Sequence, residues 1–179
     1  MPDYSKYAKY KVFETENEVI VKVTFTKGSL QVPEDYQSMK GICAGQSALW
    51  CLHILEKREC PKPSYLRAAA LQSTYQGVGH AEGRGDDGLM EWAGLTCLGT
   101  LKKAAWEVVL EMRFNEGVYL IGAPGHWMAA ATNSGKGEFK YFNPDAGMFS
   151  GMDGPGFEQI LLEGRQTGRT WVVYKVGLA

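Results

Sequence analysis

The residues whose types could do covalent chemistry are a cysteine flanked by glycines, Gly41-Ile42-Cys43-Ala44-Gly45, and a histidine after a Pro-Gly turn, Pro124-Gly125-His126. Cys43 precedes an apolar, helix-compatible run, Leu49-Trp50-Cys51-Leu52-His53-Ile54-Leu55, which ends in Glu56-Lys57-Arg58-Glu59. Before it lie Pro33 and a loose polar run from Glu34 to Lys40. The cysteine is therefore expected where a loop becomes a helix. Unpaired N–H groups and the positive end of the helix dipole gather there. Such a site favours the thiolate, which is the nucleophilic form. Gly41 and Gly45 would keep bulky side chains away from the sulfur, so that a substrate backbone could approach. A cysteine alone is more often a small buried hydrophobe, so the assignment depends on partners elsewhere in the chain.

Val118 to Gly122 reads as a short buried strand, Ala123-Pro124-Gly125 as a turn and His126 to Ala131 as a second strand. Asn133 to Gly137 is a hairpin loop, and Phe139 to Phe142 a third strand that runs into Asn143-Pro144-Asp145-Ala146-Gly147. In an antiparallel hairpin the start of one strand lies beside the end of its partner. That brings His126 beside Asn143. A Cys at a helix start, then a His, then an Asn or Asp one strand later, is the nucleophile, base and orienting group of thiol catalysis. The third group fixes the imidazole tautomer and turns its other nitrogen toward sulfur. The competing assignment makes His126 a core histidine bonded to a carbonyl. His53, inside the first helix, and His80, in a Gly-rich stretch, are weaker candidates for the base.

The elements that must position these residues can be read from the chain in order. Residues 1–10, with Tyr4, Tyr7 and Tyr10 three apart, read as a flexible or surface-packed arm, or as one face of a short helix. Lys11 to Thr26 reads as a β-hairpin broken at Glu16-Asn17-Glu18. Pro61 and Pro63 mark a break, and Ser64 is placed to cap a helix through Leu71. Gly77 to Gly88 carries His80, Glu82, Arg84, Asp86 and Asp87 but lacks the Gly-Lys-Ser/Thr ending of a phosphate loop. It is expected to be a solvated loop, with a mobile lid or a metal grouping as alternatives. Leu89 to Leu98 and Leu101 to Phe114 fit amphipathic helices, the second with Ala105, Val108, Val109 and Met112 on one side. Trp92 and Trp106 are assigned to the core. A helix from Phe157 to Glu163 and a strand from Trp171 to Val176 close the pattern. A mainly helical part followed by an antiparallel sheet is α+β.

At 179 residues the chain is one domain, residues 1–179, long enough to bury a core. Its 45% hydrophobic and 22% charged residues are ordinary globular composition. A net charge of −1 gives no reason to expect a nucleic-acid or anionic-membrane partner. Cys43, Cys51, Cys60 and Cys97 are unevenly spaced and form no CxxC pair, so reduced thiols are expected and a structural zinc site is not. No metal and no cofactor is called for. The polar, aromatic first ten residues do not read as a secretory signal, and no stretch has the length of a membrane span.

Gly41-Ile42-Cys43 with Ser47 and Trp50 resembles the nucleophile helix of the YopT/AvrPphB-type effector peptidases, papain-like cysteine proteases that bacteria deliver into other cells. His126-Trp127-Met128-Ala129-Ala130 is similar to their His-Ala-x-Ala strand. Phe142-Asn143-Pro144-Asp145-Ala146-Gly147-Met148-Phe149 is similar to their Phe-Asp-Pro-Asn-x-Gly-x-Phe segment. The similarity runs from Gln37 to Val176. In one respect the chain departs from it: the family's acidic residue falls at Asn143 and its Asn at Asp145. Papain uses Asn as the orienting residue, so Asn143 is assigned that role and Asp145 is the alternative. Gln37 stands at the spacing of papain's oxyanion-hole glutamine, so the resemblance assigns it, with the Cys43 N–H, to the oxyanion.

The resemblance implies a papain-like α+β fold, with the nucleophile helix packed on an antiparallel sheet. It further implies a cysteine protease that cleaves a protein substrate through an acyl-enzyme on Cys43. The same triad would serve a glutamine deamidase or transglutaminase, or a peptidoglycan amidase; a catalytically silent binding module is the non-enzymatic alternative. Secretion by a non-Sec route, action in a target-cell cytosol and a protein substrate there are the corresponding expectations, and a chaperone or immunity partner is compatible with them.

Overall fold

The computed structural model describes residues 2–16, 18–23, 26–27, 30–31, 35–40, 42–79 and 83–179; for residues 18–40, 78 and 79 the description is of backbone elements alone. The chain opens with a 3-10 helix, Ser5–Tyr10, and strand β1, Lys11–Glu14. Strands β2 (Glu18–Val23), β3 (Thr26–Lys27), β4 (Leu30–Gln31) and β5 (Asp35–Lys40) follow. Helices α1 (Cys43–Leu55) and α2 (Tyr65–Thr74), a π-helix (Tyr75–Gly79) and α3 (Gly85–Trp92) lead to β6 (Leu95–Ala104) and α4 (Ala105–Phe114). The rest is β7 (Gly117–Ala123), β8 (His126–Asn133), β9 (Glu138–Asn143), β10 (Gly147–Ser150), α5 (Gly154–Leu162) and β11 (Thr170–Leu178).

Seven strands form one antiparallel sheet in the order β1-β10-β9-β8-β7-β11-β6, while β2 pairs with β5 and β3 with β4 in two small sheets. Alternation along the central strands sends side chains to two cores. Tyr119, Ile121, Met128, Ala130, Phe139, Tyr141, Trp171 and Val173 meet α4 and α5 on one face. Leu120, Ala129, Phe142 and Val176 meet α1, α2 and α3 on the other. Both faces of the sheet are therefore covered by helices, which is why its strands carry long apolar runs.

Helix α1 is apolar nearly all round because it lies between the sheet and α2. Trp50 pins it, its indole stacked on Phe142 of β9 at 5.6 Å and 5°. Such a ring is worth about 3–5 kcal/mol against alanine. Gly45 lets α2 approach: a Cβ there would lie 2.1 Å from the Ala68 carbonyl oxygen. The small residue thus serves helix packing, where the sequence suggested access for a substrate. Gly41 lies outside the described residues.

Several elements differ from expectation. Among the described residues of 11–26 no hairpin forms; β1 adds to the large sheet beside β10, and β2 pairs with β5. The polar run before Cys43 contains strand β5, Asp35–Lys40, whose polar composition carries no apolar pattern that would mark a strand. Leu95–Ala104 is an edge strand paired to β11, and the helical periodicity begins only at Ala105. Within α4 the buried residues are Ala105, Val108, Val109 and Met112, as the spacing indicates, but Trp106 is on the exposed face. Residues 2–10 are docked rather than free: Tyr7 is buried and donates to Glu163 at 2.9 Å. Part of the Gly77–Gly88 stretch is helical, at Tyr75–Gly79 and from Gly85. His80 and Glu82 lie outside the described residues. Among the described residues no helix is long and apolar enough to cross a membrane.

Candidate active site

Cys43 is the first residue of α1 and Ile42 its N-cap, with no side chain capping the helix locally. Four N–H groups at a helix start need partners from elsewhere. The Gln46 N–H returns to the Ile42 carbonyl at 2.9 Å, and the Gly45 N–H is taken by the buried Gln72 Oε1 of α2 at 3.0 Å. The N–H groups of Trp127, on β8, and of Ala44 and Cys43 favour charge on the Cys43 sulfur. Cys43 therefore lies against the start of β8, one residue beyond His126.

His126 follows the tight turn Pro124-Gly125, in which Gly125 takes the positive φ of +70° that such a turn requires. Its Nε2 lies 2.7 Å from Asn143 Oδ1 at the end of β9 and 3.5 Å from Asp145 Oδ2. Asn143 is completely buried and bonded at both side-chain polar atoms: Oδ1 also accepts the Asp145 N–H at 3.1 Å, and Nδ2 donates to the Tyr4 hydroxyl at 2.8 Å. A backbone N–H can only donate, so the atom it meets is the amide oxygen. The same oxygen faces His126 Nε2, which must then carry the proton. Nδ1 of a neutral His126 is left bare, as a base requires. The turn that carries both residues is held from outside by Thr15, whose hydroxyl donates to Pro144 O at 2.8 Å. Gly147 closes the turn with φ +129°, where β1 passes so near that a Cβ would lie 1.9 Å from Phe13 O.

Electrostatics favour the uncharged forms of the pair. Burial pushes the Cys43 thiol up, the N–H groups of Trp127 and Ala44 offset part of this, and the Asp145 carboxylate adds to it. Burial likewise holds His126 below the usual imidazole range; the bond to Asn143 and the Asp145 charge act against it and the Arg165 charge with it. The thiolate expected from the helix start is thus opposed by desolvation, with Cys43 only 8% exposed. Among the described residues the sulfur makes no hydrogen bond to the imidazole; such contacts tighten when a substrate closes the site.

Trp127 packs its side chain against two tyrosines. Its indole stacks with Tyr174 at 6.4 Å and meets the edge of Tyr75 at 6.2 Å. Asp86, expected in a solvated loop, accepts the hydroxyls of both Tyr75, at 2.9 Å, and Tyr174. Burial and this carboxylate hold both phenols well above the ordinary tyrosine range.

The structure thus brings His126, Asn143 and Asp145 together with Cys43 nearby. Gln37 lies on β5 opposite Val21, and its side chain is outside the described residues. His53 is buried near the C-terminal end of α1, 3.9 Å from Glu56. All four cysteines are free; Cys43 and Cys51 are buried, Cys60 and Cys97 exposed. Among the described residues no group of three or more His, Cys, Asp or Glu is placed to hold a metal ion. Tyr4, Thr15, Gln72 and Asp86 were missed as site residues. Each acts across a long sequence separation, and only the regular spacing of Tyr4, Tyr7 and Tyr10 carried any signal.

No protein-family model matches the sequence, and comparison with curated proteins finds no significant match. The structure is similar to the crystal structure of the Pseudomonas avirulence protein AvrPphB, with a TM-score of 0.57 and 18% identity. The match covers 76% of this chain and 92% of that one. The chain therefore has a mixed α/β fold, built on an antiparallel sheet, like that of AvrPphB. AvrPphB is one of the two proteins after which the group resembled by the Cys43, His126 and Asn143 motifs is named.

Proposed function

We propose that this protein is a papain-like thiol hydrolase that cleaves amide bonds in a protein substrate, with Cys43 as nucleophile, His126 as base and Asn143 as orienting residue. The observation that carries the proposal is the 2.7 Å bond by which His126 Nε2–H donates to Asn143 Oδ1, leaving Nδ1 unprotonated and available as the base. In the first step the Cys43 thiol proton passes to His126 Nδ1 as the sulfur attacks the substrate carbonyl carbon. The resulting oxyanion would be met by the Cys43 N–H and by the Gln37 amide. His126 then returns the proton to the departing amine, and a thioester remains on Cys43. Water, deprotonated by His126, attacks the thioester; the acid is released and the thiol restored. Asp145, further from the same nitrogen, contributes charge.

The motifs and the likeness to an avirulence protein support placing the chain with effectors delivered into a target cell, with its substrate in that cytosol. Incubation of the purified protein with target-cell extracts, followed by sequencing of new N-termini, tests the proposal. Cleavages dependent on Cys43 and His126 support peptidase activity. A gain of about one dalton at glutamines without new termini assigns the same triad to deamidation. Absence of both leaves a binding module.

A further inference from the structure

We infer that Tyr4, the N-cap residue of the N-terminal 3-10 helix, is a positioning residue that helps to set the tautomer of His126 through a directed chain of hydrogen bonds. The inference rests on the thiol-hydrolase proposal for its effect on rate, and on geometry alone for its effect on the imidazole. The chain begins at Met128 Sδ, which can accept but not donate. Tyr141 gives its hydroxyl proton to that sulfur at 3.0 Å. The Tyr141 oxygen is then the acceptor for the Tyr4 hydroxyl, 3.1 Å away. Tyr4, having donated, accepts from Asn143 Nδ2 at 2.8 Å. The amide is thereby turned with its oxygen toward His126 Nε2, at 2.7 Å. At the far end the Asp145 N–H, which can only donate, meets that oxygen at 3.1 Å. An accept-only atom and a donate-only atom thus bracket the chain, and every bond between them has one allowed direction. Reversing the amide would set an NH2 group against the Asp145 N–H and leave the Tyr4 oxygen facing another oxygen. The Nε2–H tautomer, with Nδ1 free as base, is selected by these contacts.

The placement of Tyr4 is over-determined by its surroundings. Its ring packs on Phe149 at 5.5 Å and on Tyr141 at 6.2 Å. Two residues of the same helix are tied to Glu163: Tyr7 by its hydroxyl and Lys6 by an ion pair, each at 2.9 Å. A segment built only to cover the sheet would need the rings but not the hydroxyl. Tyr4→Phe removes that hydroxyl and keeps the ring.

The test measures 15N shifts of the His126 ring by NMR, well above its titration, with kcat and KM on the substrate of the intact protein. In the unaltered chain His126 should be the Nε2–H tautomer. Tyr4→Phe should raise the share of Nδ1–H measurably, although the Asp145 N–H still favours the original amide orientation, and lower kcat by about 10-fold, the scale known for outer partners of metal-ligating histidines, with KM little changed. An unchanged tautomer in a folded Tyr4→Phe protein overturns the inference, whatever the kinetics. Should that variant fail to fold, Tyr141→Phe, which removes the acceptor of Tyr4, should shift the tautomer in the same direction by less; no shift there overturns it equally. Because the ring shifts need no substrate, failure of the hydrolase proposal would leave this result standing.

Discussion

Gly45→Ala separates packing from substrate access at the candidate nucleophile. In an isolated helix the change would stabilise, by about 1 kcal/mol. Here the new Cβ would lie 2.1 Å from the Ala68 oxygen and 2.9 Å from its carbonyl carbon. Ordinary contact begins at 3.4 Å, so the backbone of α2 would have to retreat by roughly 1 Å. Gln72 lies one turn further along α2, and its bond to the Gly45 N–H stretches with the same movement. Overpacking of this kind costs about 1–3 kcal/mol, and a buried donor left unpaired about 1–3 kcal/mol. Set against the helix gain, the loss is about 3 kcal/mol, which for a chain of this length lowers Tm by about 6–12 °C. Urea unfolding and thermal melting measure it directly. An equal or higher Tm would refute the reasoning. If Gly45 instead served only to admit a substrate backbone, the variant would lose kcat/KM at unchanged Tm.

Brief iodoacetamide treatment at neutral pH should label the exposed Cys60 and Cys97 first, Cys43 after them and Cys51 last, since burial raises both inner thiols. Peptide mapping that finds Cys43 labelled first would mean the N–H groups and His126 outweigh desolvation. Gln37→Ala should lower kcat by about 10²–10³ while Cys43 alkylates at its usual rate, whereas His126→Ala should lose both; normal turnover of the first variant would remove Gln37 from the oxyanion site. Because His126 must be neutral to act and burial lowers its pKa, the acid limb of kcat/KM should lie below about 6.5. Asp145→Asn removes a charge that raises both His126 and Cys43, so both limbs of the profile should move to lower pH; an upward shift of either contradicts the assigned electrostatics. The depressed pKa of His126 and of His53 also sets a sign for stability: their contribution is full above the unfolded imidazole value and is lost as pH falls through the folded one, which acid-titrated melts would read.

The hairpin carrying His126 and Asn143 was legible because its signals are local. Turn residues at Pro124-Gly125 and Asn133-Gly137 bracket short apolar strands, and the register follows from loop length. The extent of α1 was legible too, from its apolar run and charged end. Leu95–Ala104 was not, because an edge strand exposed along most of its length has no alternation to show, and its pairing with β11 spans most of the domain. The same holds for β1, whose partner β10 lies far along the chain. At the site, the helix start suggested a lowered thiol pKa, yet the outcome depends on how deeply tertiary packing buries the sulfur. Nor does local sequence say that Tyr4 reaches Asn143 or that Gln72 reaches Gly45, since both contacts join separate elements.

The exchange of Asn and Asp between positions 143 and 145, relative to the resembled motif, acquires a physical meaning from the burial at each place. Position 143 is wholly enclosed and position 145 is partly open. An ionised carboxylate at 143 would need strong compensation for its lost hydration, whereas an amide there has both its donor and its acceptor atoms matched. The carboxylate stands at 145, where water screens it and where it still reaches His126 at 3.5 Å. There it has opposed effects, favouring a proton on the imidazole and disfavouring charge on the sulfur. The two partly cancel for a thiolate–imidazolium pair, which leaves burial as the larger influence, favouring the uncharged forms. The N–H groups of Cys43, Ala44 and Trp127 then act most strongly when charge develops on the sulfur during proton transfer. Interactions that strengthen only on the way to the transition state are the ones that raise kcat.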